Sequence, residues 1–370
     1  MTHDEIYNSV YSKLALRRNY QREIQELVNK HEYVVFYGCG AILDSIVNTW
    51  NKYIDRPIDF CCDSNSEKWG SVFSGIRCVS PDELSLFKDK CVVFVTIGEF
   101  LPVYRQLQSK GFISVHILYK YDLETGSYLA NEVLENVSSK LYEVYLALSD
   151  DVSRDVFVKI TNRVLLSQTP PEAMVSICSP DQYFPKDIIK LGASESFVDV
   201  GAFVGDTFLD FVKRCNAFET YHGFELDAVN YGHLLACVNA TKYTNCVKMY
   251  NVGALDHECD VAYSIGLSQS TIGSGVGKGH CLPLDNVLRN EYVSMIKMDI
   301  EGSELQALQG ASQIIKMQKP KLAICVYHKF SHLWEIPLYI KSLVPEYKIY
   351  LRHHTNLEYE TVCYAVLETP

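Results

Sequence analysis

No stretch of this chain is dense in lysine or arginine, and its formal net charge is −11. A protein that tracks long nucleic acid needs clustered cations to displace the counterions condensed on phosphates, so binding of that kind is not expected. The sequence also lacks a long apolar run. Its longest candidate, CVVFVTIGEFLPVY from Cys91, is broken by Gly98, Glu99 and Pro102, well short of the roughly 20 residues that span a bilayer, so no membrane insertion is expected. Internal repeats and low-complexity tracts are missing, which excludes solenoids and collagen-like or linker-rich chains. Thirteen cysteines are present, but Cys61 and Cys62 are adjacent and none forms a C-x-x-C pair. The N-terminal stretch MTHDEIYNSVYSKLALRRNYQREIQ is polar and helix-patterned rather than a secretory leader. The cysteines therefore read as buried thiols of a cytoplasmic protein.

What is present is a soluble composition, 48% hydrophobic over 370 residues, long enough for about two domains. The pattern divides it into a helical segment over 1–30, a Rossmann-like α/β domain over 31–120, a helical connector over 121–190 and a second α/β domain over 191–370. In the first α/β domain YVVFYGCGAILDSIVNTW reads as a strand, a glycine turn and a helix, and IDFCCDSN places Asp63 at the end of the next strand. Alternating strands and helices imply a parallel sheet. The third glycine of a dinucleotide fingerprint is replaced by Leu43, so a nucleotide-binding module and a purely structural domain both stay open here. The connector, rich in helical apolar spacing, ends at TPPEA because consecutive prolines cannot continue a helix.

The second α/β domain begins with SFVDVGAFVGDTFLDF. Gly201 and Gly205 follow a strand and open a helix, so backbone N–H groups can face a ligand there. Acids flank this loop at Asp199 and Asp206, with Thr207 next to the latter. Carboxylates so placed repel a pyrophosphate and suit cationic groups such as an ammonium and a sulfonium. Glu225 ends the second strand, 20 positions beyond Gly205, where an acid can accept both hydrogen bonds of a ribose diol. Ribose plus a cationic amino-acid tail describes S-adenosylmethionine. Further strands, NCVKMYNVGAL, VSMIKMDI and KLAICVYH, precede YKIYLRHH and ETVCYAVLE, which suit a closing antiparallel hairpin on a doubly wound, mostly parallel sheet.

In KMDIEGSE, Asp299 and Glu301 follow the fourth strand at the carboxyl edge, and Gly302 opens a helix expected to bury Ala307, Leu308, Ala311 and Ile315. These carboxylates can orient the donor, bind acceptor hydroxyls or hold a divalent metal weakly; a helix-terminus role is the plain alternative, as it is for Glu304. His328 closes the fifth strand, where a neutral imidazole can take a proton from an acceptor hydroxyl. His332, His353 and His354 are lesser candidates. The glycine-rich SIGLSQSTIGSGVGKGHC reads as a mobile lid over the acceptor.

Taken together, FVDVGAFVGDT, GFELD, NVGAL, PLDNVL, IKMDIEGSELQALQGA and VYHK resemble, in order, the FkbM-type S-adenosylmethionine-dependent O-methyltransferases. The resemblance covers roughly the C-terminal half. It implies a class I methyltransferase fold and methyl transfer to a hydroxyl, often on a sugar or polyketide; a small-molecule or saccharide acceptor in polysaccharide biosynthesis is the expectation. A nucleotide-sugar oxidoreductase or nucleotide-binding module using the first domain is the alternative, and it lacks a Tyr-x-x-x-Lys in the expected place. A catalytically silent binding module is opposed by the Gly201, Gly205, Glu225 and Asp299 set. Nucleic-acid N-methylation is disfavoured because the fourth strand ends in MDIEG. Homo-oligomerisation stays open.

Overall fold

The computed structural model describes residues 20–40, 43–98, 100–118, 123, 131–166, 171–215, 217–264, 273, 275–357 and 359–368. The chain divides into two compact units, Met1–Ser139 with Asn162–Val175, and Lys140–Thr161 with Ser176–Pro370. The boundary falls inside the three helices Asn131–Ala147, Asp151–Leu166 and Pro171–Ile177.

In the first unit, strands β1 (Tyr33–Tyr37), β2 (Phe60–Cys62), β3 (Val72–Phe73), β4 (Ile76–Val79), β5 (Cys91–Val95) and β6 (Val115–Ile117) form one sheet in the order β3-β4-β2-β1-β5-β6. All pairs are parallel except the β3–β4 hairpin. Every residue of β5 is buried, as a strand covered on both faces requires. Trp50, from the helix Leu43–Tyr53, packs edge-on against Phe36 and Phe94 to close one face.

The second unit holds β7 (Ser196–Val200), β8 (Thr220–Phe224), β9 (Val247–Tyr250), β10 (Gly253–Ala254), β11 (Cys259–Tyr263), β12 (Gly277–Leu282), β13 (Met295–Met298), β14 (Lys321–Cys325), β15 (Lys348–His353) and β16 (Thr361–Val366). Seven of these make the main sheet, β15-β16-β14-β13-β7-β8-β9, parallel but for β16, which runs antiparallel to both neighbours. The expected closing hairpin is therefore β15–β16. A smaller sheet, β10-β12-β11, was not anticipated; the last part of the glycine-rich segment read as a lid is strand β12, paired with β11. Residues 265–272 and 274 of that segment lie outside the described residues.

Phe197, Phe208, Phe211 and Tyr221 fill the core between β7, β8 and the helix Asp206–Arg214. Each such ring contributes about 1.5–3 kcal/mol by leaving water. The connector also adds to this unit: the Ser149 and Ser153 hydroxyls accept the backbone N–H groups of Ile349 and Leu351, and the Arg352 guanidinium donates to Asp150 and Asp187. The chain runs outward from β7 through β8 to β9, then crosses to β13 on the other side of β7. That reversal leaves a crevice beyond the carboxyl ends of β7 and β13, the place where open α/β sheets bind ligands.

Candidate active site

Parallel register builds the floor of the crevice. Lys297 of β13 lies directly opposite Asp199 of β7, and the two form an ion pair of 2.9 Å with side chains 2% and 0% exposed. Tyr221 on the other neighbouring strand donates its hydroxyl to Asp199 at 2.7 Å. Burial alone would push the Lys297 ammonium down, but the carboxylates of Asp199 and Asp299 outweigh it and hold its pKa above the usual lysine range. The same burial raises the Asp199 carboxyl, against the pull of Lys297 and of the Tyr221 hydroxyl. Lys297 also donates to the Gly201 carbonyl at 2.7 Å, which ties the turn after β7 to β13. Asp199, expected at the methionine end of a cofactor, thus has its carboxylate committed beneath the loop; Lys297 and Gly201, not Asp199, line the crevice above it.

The turn itself has a demanding backbone. Gly201 sits at φ 80°, and a Cβ there would meet the Asp299 carbonyl oxygen at 2.0 Å. Gly205, at φ 94°, is the N-cap of the helix Asp206–Arg214, so Asp206 is the first helical residue and not the cap. Between them Phe203 is held at φ 48°, a strained conformation for a non-glycine residue that persists only where surroundings enforce it. The enforcing group is Glu225. Its Oε2 accepts the Phe203 N–H at 2.9 Å and its Oε1 accepts the Asp227 N–H at 2.8 Å. Glu225 is 7% exposed, and burial pushes its carboxyl up to about 7 although those two amides and Lys297 pull it down. Each carboxylate oxygen retains a lone-pair site, and Glu225, Asp206 and Thr207 all line the crevice with Gly201.

A second constellation lies at the ends of β13 and β14. Asp299 accepts the Tyr183 hydroxyl at 2.7 Å and the Tyr327 hydroxyl at 3.2 Å. Glu301 stands in a left-handed conformation, φ 53°. His328 presents Nε2 to both acids, 3.5 Å from Asp299 Oδ1 and 3.4 Å from Glu301 Oε2, while its Nδ1 is 2.8 Å from Glu304 Oε1. Glu304 is wholly buried; it accepts the N–H groups of Ile300 and Gly302 and lies 3.2 Å from His332 Nδ1. Burial opposes its ionisation, but His328 and His332 overcome that and hold it well below the usual carboxylate range. Glu304 is therefore the anchor of His328 as well as a helix-terminal acid. The same carboxylates act on the imidazole. Burial would lower the His328 pKa, yet Glu304, Asp299 and Glu301 together raise it, so the imidazole expected to stand neutral is biased toward its protonated form. Burial raises the Glu301 carboxyl, as does the charge of Asp299. Glu360 also belongs to the cluster, accepting from Gln182 and from Tyr327.

The lesser histidines separate from the site. His353 contacts Thr361 inside the β15–β16 hairpin, and His354 contacts the Ser179 carbonyl and the Tyr364 hydroxyl. Both fasten the hairpin. Only His332 joins the cluster, through Glu304.

Residues 199–356 match the Methyltransferase FkbM domain family. By that match this region is similar to FkbM methyltransferase domains. The Gly201–Gly205 turn, Glu225 and the β13–β14 cluster all fall within it. Over the whole chain the fold is shared with methyltransferase FkbM from Methylobacillus flagellatus KT, at 23% identity and a TM-score of 0.77, covering 99% of this chain and 100% of that one. An rRNA methylase from Streptococcus thermophilus (13% identity, TM-score 0.33, 48% of this chain and 90% of that one) and Aeropyrum pernix fibrillarin in complex with S-adenosyl-L-methionine (12%, 0.32, 49% and 71%) are far more distant. No curated protein matches the chain.

The sequence reading passed over Lys297, Tyr183, Tyr327 and Glu360, and it took Glu304 only as a helix-terminus acid. Lys297 had a visible signal, since a lone cation inside the apolar run MIKM must find a buried anion. Glu304 had a weaker one: only the fold brings it beneath His328. In the first unit Asp63, at the end of the second strand, has one carboxylate oxygen doubly occupied. Its carboxylate already accepts the N–H groups of Cys39 and Asn65, each at 2.9 Å, and the Lys68 ammonium at 2.8 Å.

Proposed function

We propose that this protein transfers the methyl group of S-adenosylmethionine to a hydroxyl of a sugar, nucleotide sugar or glycan intermediate. The donor half is carried by one observation: Glu225, at the end of the second strand, spends one lone pair of each oxygen on the loop and keeps one on each for a ribose diol. The surroundings fit the rest of that molecule. Phe224, Leu226, Val252 and Ala254 offer apolar surface near Glu225, and Asp206 and Asp299 supply anionic groups for an ammonium. The close approach of Gly201 to the Asp299 carbonyl leaves backbone, and no side chain, at the turn.

When bound, the sulfonium supplies an electrophilic methyl group. The chain's own contribution is alignment, because displacement at carbon needs the acceptor oxygen held in line with the leaving sulfur. Gly201, Gly205, Thr207 and Glu225 would hold the donor, and Lys297 with Asp199 would fix the loop that carries them. Asp299 and Glu301 line the opposite wall of the crevice, with His328 packed against both; an acceptor hydroxyl would lie at this wall, where a carboxylate would receive its proton. Oxygen-rich acceptors suit this wall, since its carboxylates take hydrogen bonds from hydroxyls. Calorimetric titration tests the reading: S-adenosylmethionine should bind the wild type, and Glu225→Gln should weaken it about 10- to 100-fold, the worth of charge-assisted hydrogen bonds. Absence of binding to the wild type would defeat it. With a donor site in hand, labelled methyl transfer to sugar and nucleotide-sugar acceptors identifies the class.

A further inference from the structure

The arrangement around His328 has the form of a metal centre. Its Nε2 lies 3.5 Å from Asp299 Oδ1 and 3.4 Å from Glu301 Oε2. These separations are long for N–H···O hydrogen bonds, and Nε2, on a side chain only 7% exposed, makes none. They do match two donors on one cation: ligands each about 2.1 Å from a tetrahedral ion stand about 3.4 Å apart. The other ring nitrogen faces the buried Glu304, itself anchored on the amides of Ile300 and Gly302. A carboxylate behind a histidine fixes the ring and aims its free nitrogen, as in many metal sites. Around His328, the set whose ligand atoms all lie within 4.8 Å of one another is Asp299, Glu304 and His328; Glu301 is not in it and joins through its approach to His328 Nε2. Asp299 and Glu301 also line the crevice, which leaves an open face.

We propose that Asp299, Glu301 and His328 bind one divalent transition-metal ion of the manganese or zinc type, with Glu304 as a positioning residue and the open face turned toward the acceptor. Imidazole favours such ions over magnesium, and two carboxylates balance the dipositive charge. An acceptor hydroxyl coordinated there would lose its proton to solvent more readily, because the cation stabilises the oxyanion. An acceptor with two neighbouring oxygens would chelate. The role toward the acceptor rests on the function proposed above; ion binding does not.

Titration of the metal-stripped full chain with Mn²⁺, followed by calorimetry and by electron paramagnetic resonance, tests the site. One ion per chain is expected. His328→Ala and Glu301→Gln should each abolish or greatly weaken it, and Glu304→Gln should weaken it about 10- to 100-fold. Circular dichroism checks that each variant is folded; Glu301→Gln, at a partly exposed residue, serves if His328→Ala is not. No stoichiometric binding, or binding unchanged in folded Glu301→Gln, overturns the proposal. Titration with S-adenosylmethionine on the same samples separates the readings: donor binding without Mn²⁺ binding sinks only the metal site, and Mn²⁺ binding without donor binding sinks only the methyl-donor function.

Discussion

The two units carry the same local grammar and put it to different ends. Each has a buried strand, a glycine turn, a helix and an acid at the end of the neighbouring strand. In the first, Gly38 stands at φ 124°, a Cβ there would strike Ile97 Cγ2 at 2.2 Å, and Asp63 is occupied by two amides and Lys68. Partial burial would raise the Asp63 carboxyl, but Lys68 and the amides outweigh it and keep its pKa low. In the second, the ammonium sits one layer deeper. Lys297 neutralises Asp199 beneath the loop, so Glu225 has no cation in direct contact and keeps lone pairs for a guest. Where the positive charge is placed decides which turn is filled by its own side chains and which stays open.

The largest effect should come from removing that deeper cation. Lys297→Met strands Asp199 as an uncompensated buried charge, and loss of one partner of such a pair costs about 3–5 kcal/mol. Urea unfolding measures it, and adding Asp199→Asn should restore much of the loss; if Lys297→Met is neutral, the pair does not organise the floor. Next in size is Gly201→Ala, which forces an alanine into a left-handed conformation and against the Asp299 carbonyl. A stability loss of about 2–3 kcal/mol is expected, together with loss of donor binding. Gly40→Ala offers the contrast, because nothing lies within 4 Å of a Cβ at that glycine; its donor affinity should equal that of the wild type.

The turn and its acid were legible in the sequence because their requirements are local: glycines where the backbone is left-handed, an acid at a strand end. The sheet was legible for a similar reason, since strands such as SFVDV and CVVFV read as continuous buried runs. The rest depended on contacts between distant segments. Asp199 looked like a ligand residue until register set Lys297 opposite it, and His328 looked like a neutral base until three acids were found around it. The helix after Gly302 read as continuous, but it breaks into Glu304–Gln309 and Ser312–Gln318, with Gly310 so close to the Leu255 carbonyl that a Cβ would lie 2.0 Å away. Helical periodicity in the sequence contains no record of that neighbour.

Glu225 allows a sharper test of the open turn. Its folded pKa, about 7, lies above the 4.5 of an unperturbed glutamate, so between those values the folded state holds a proton that the unfolded state has released. Stability should fall as pH rises through that window. Donor affinity should run the other way, improving as pH passes 7 and the carboxylate becomes a full acceptor. Glu225→Gln should flatten both trends. A wild-type affinity independent of pH between 5.5 and 8.5, roughly the span of that titration, would mean that Glu225 does not meet the ribose.

The smallest effect is expected from the acid in the corresponding place of the first unit. Asp63→Asn keeps an oxygen for one amide and loses the charge that holds Lys68, a partly exposed pair at 29% and 15%. Such a change costs about 1 kcal/mol, read as a small shift in urea midpoint. Its value lies in what should not move. If Asp63 only closes its own turn, donor affinity in the second unit stays the same and the variant gains no affinity for NAD. NAD binding by the wild type that Asp63→Asn abolishes would show instead that Lys68 yields to a guest, and the first turn would then be a binding site held shut by its own ammonium.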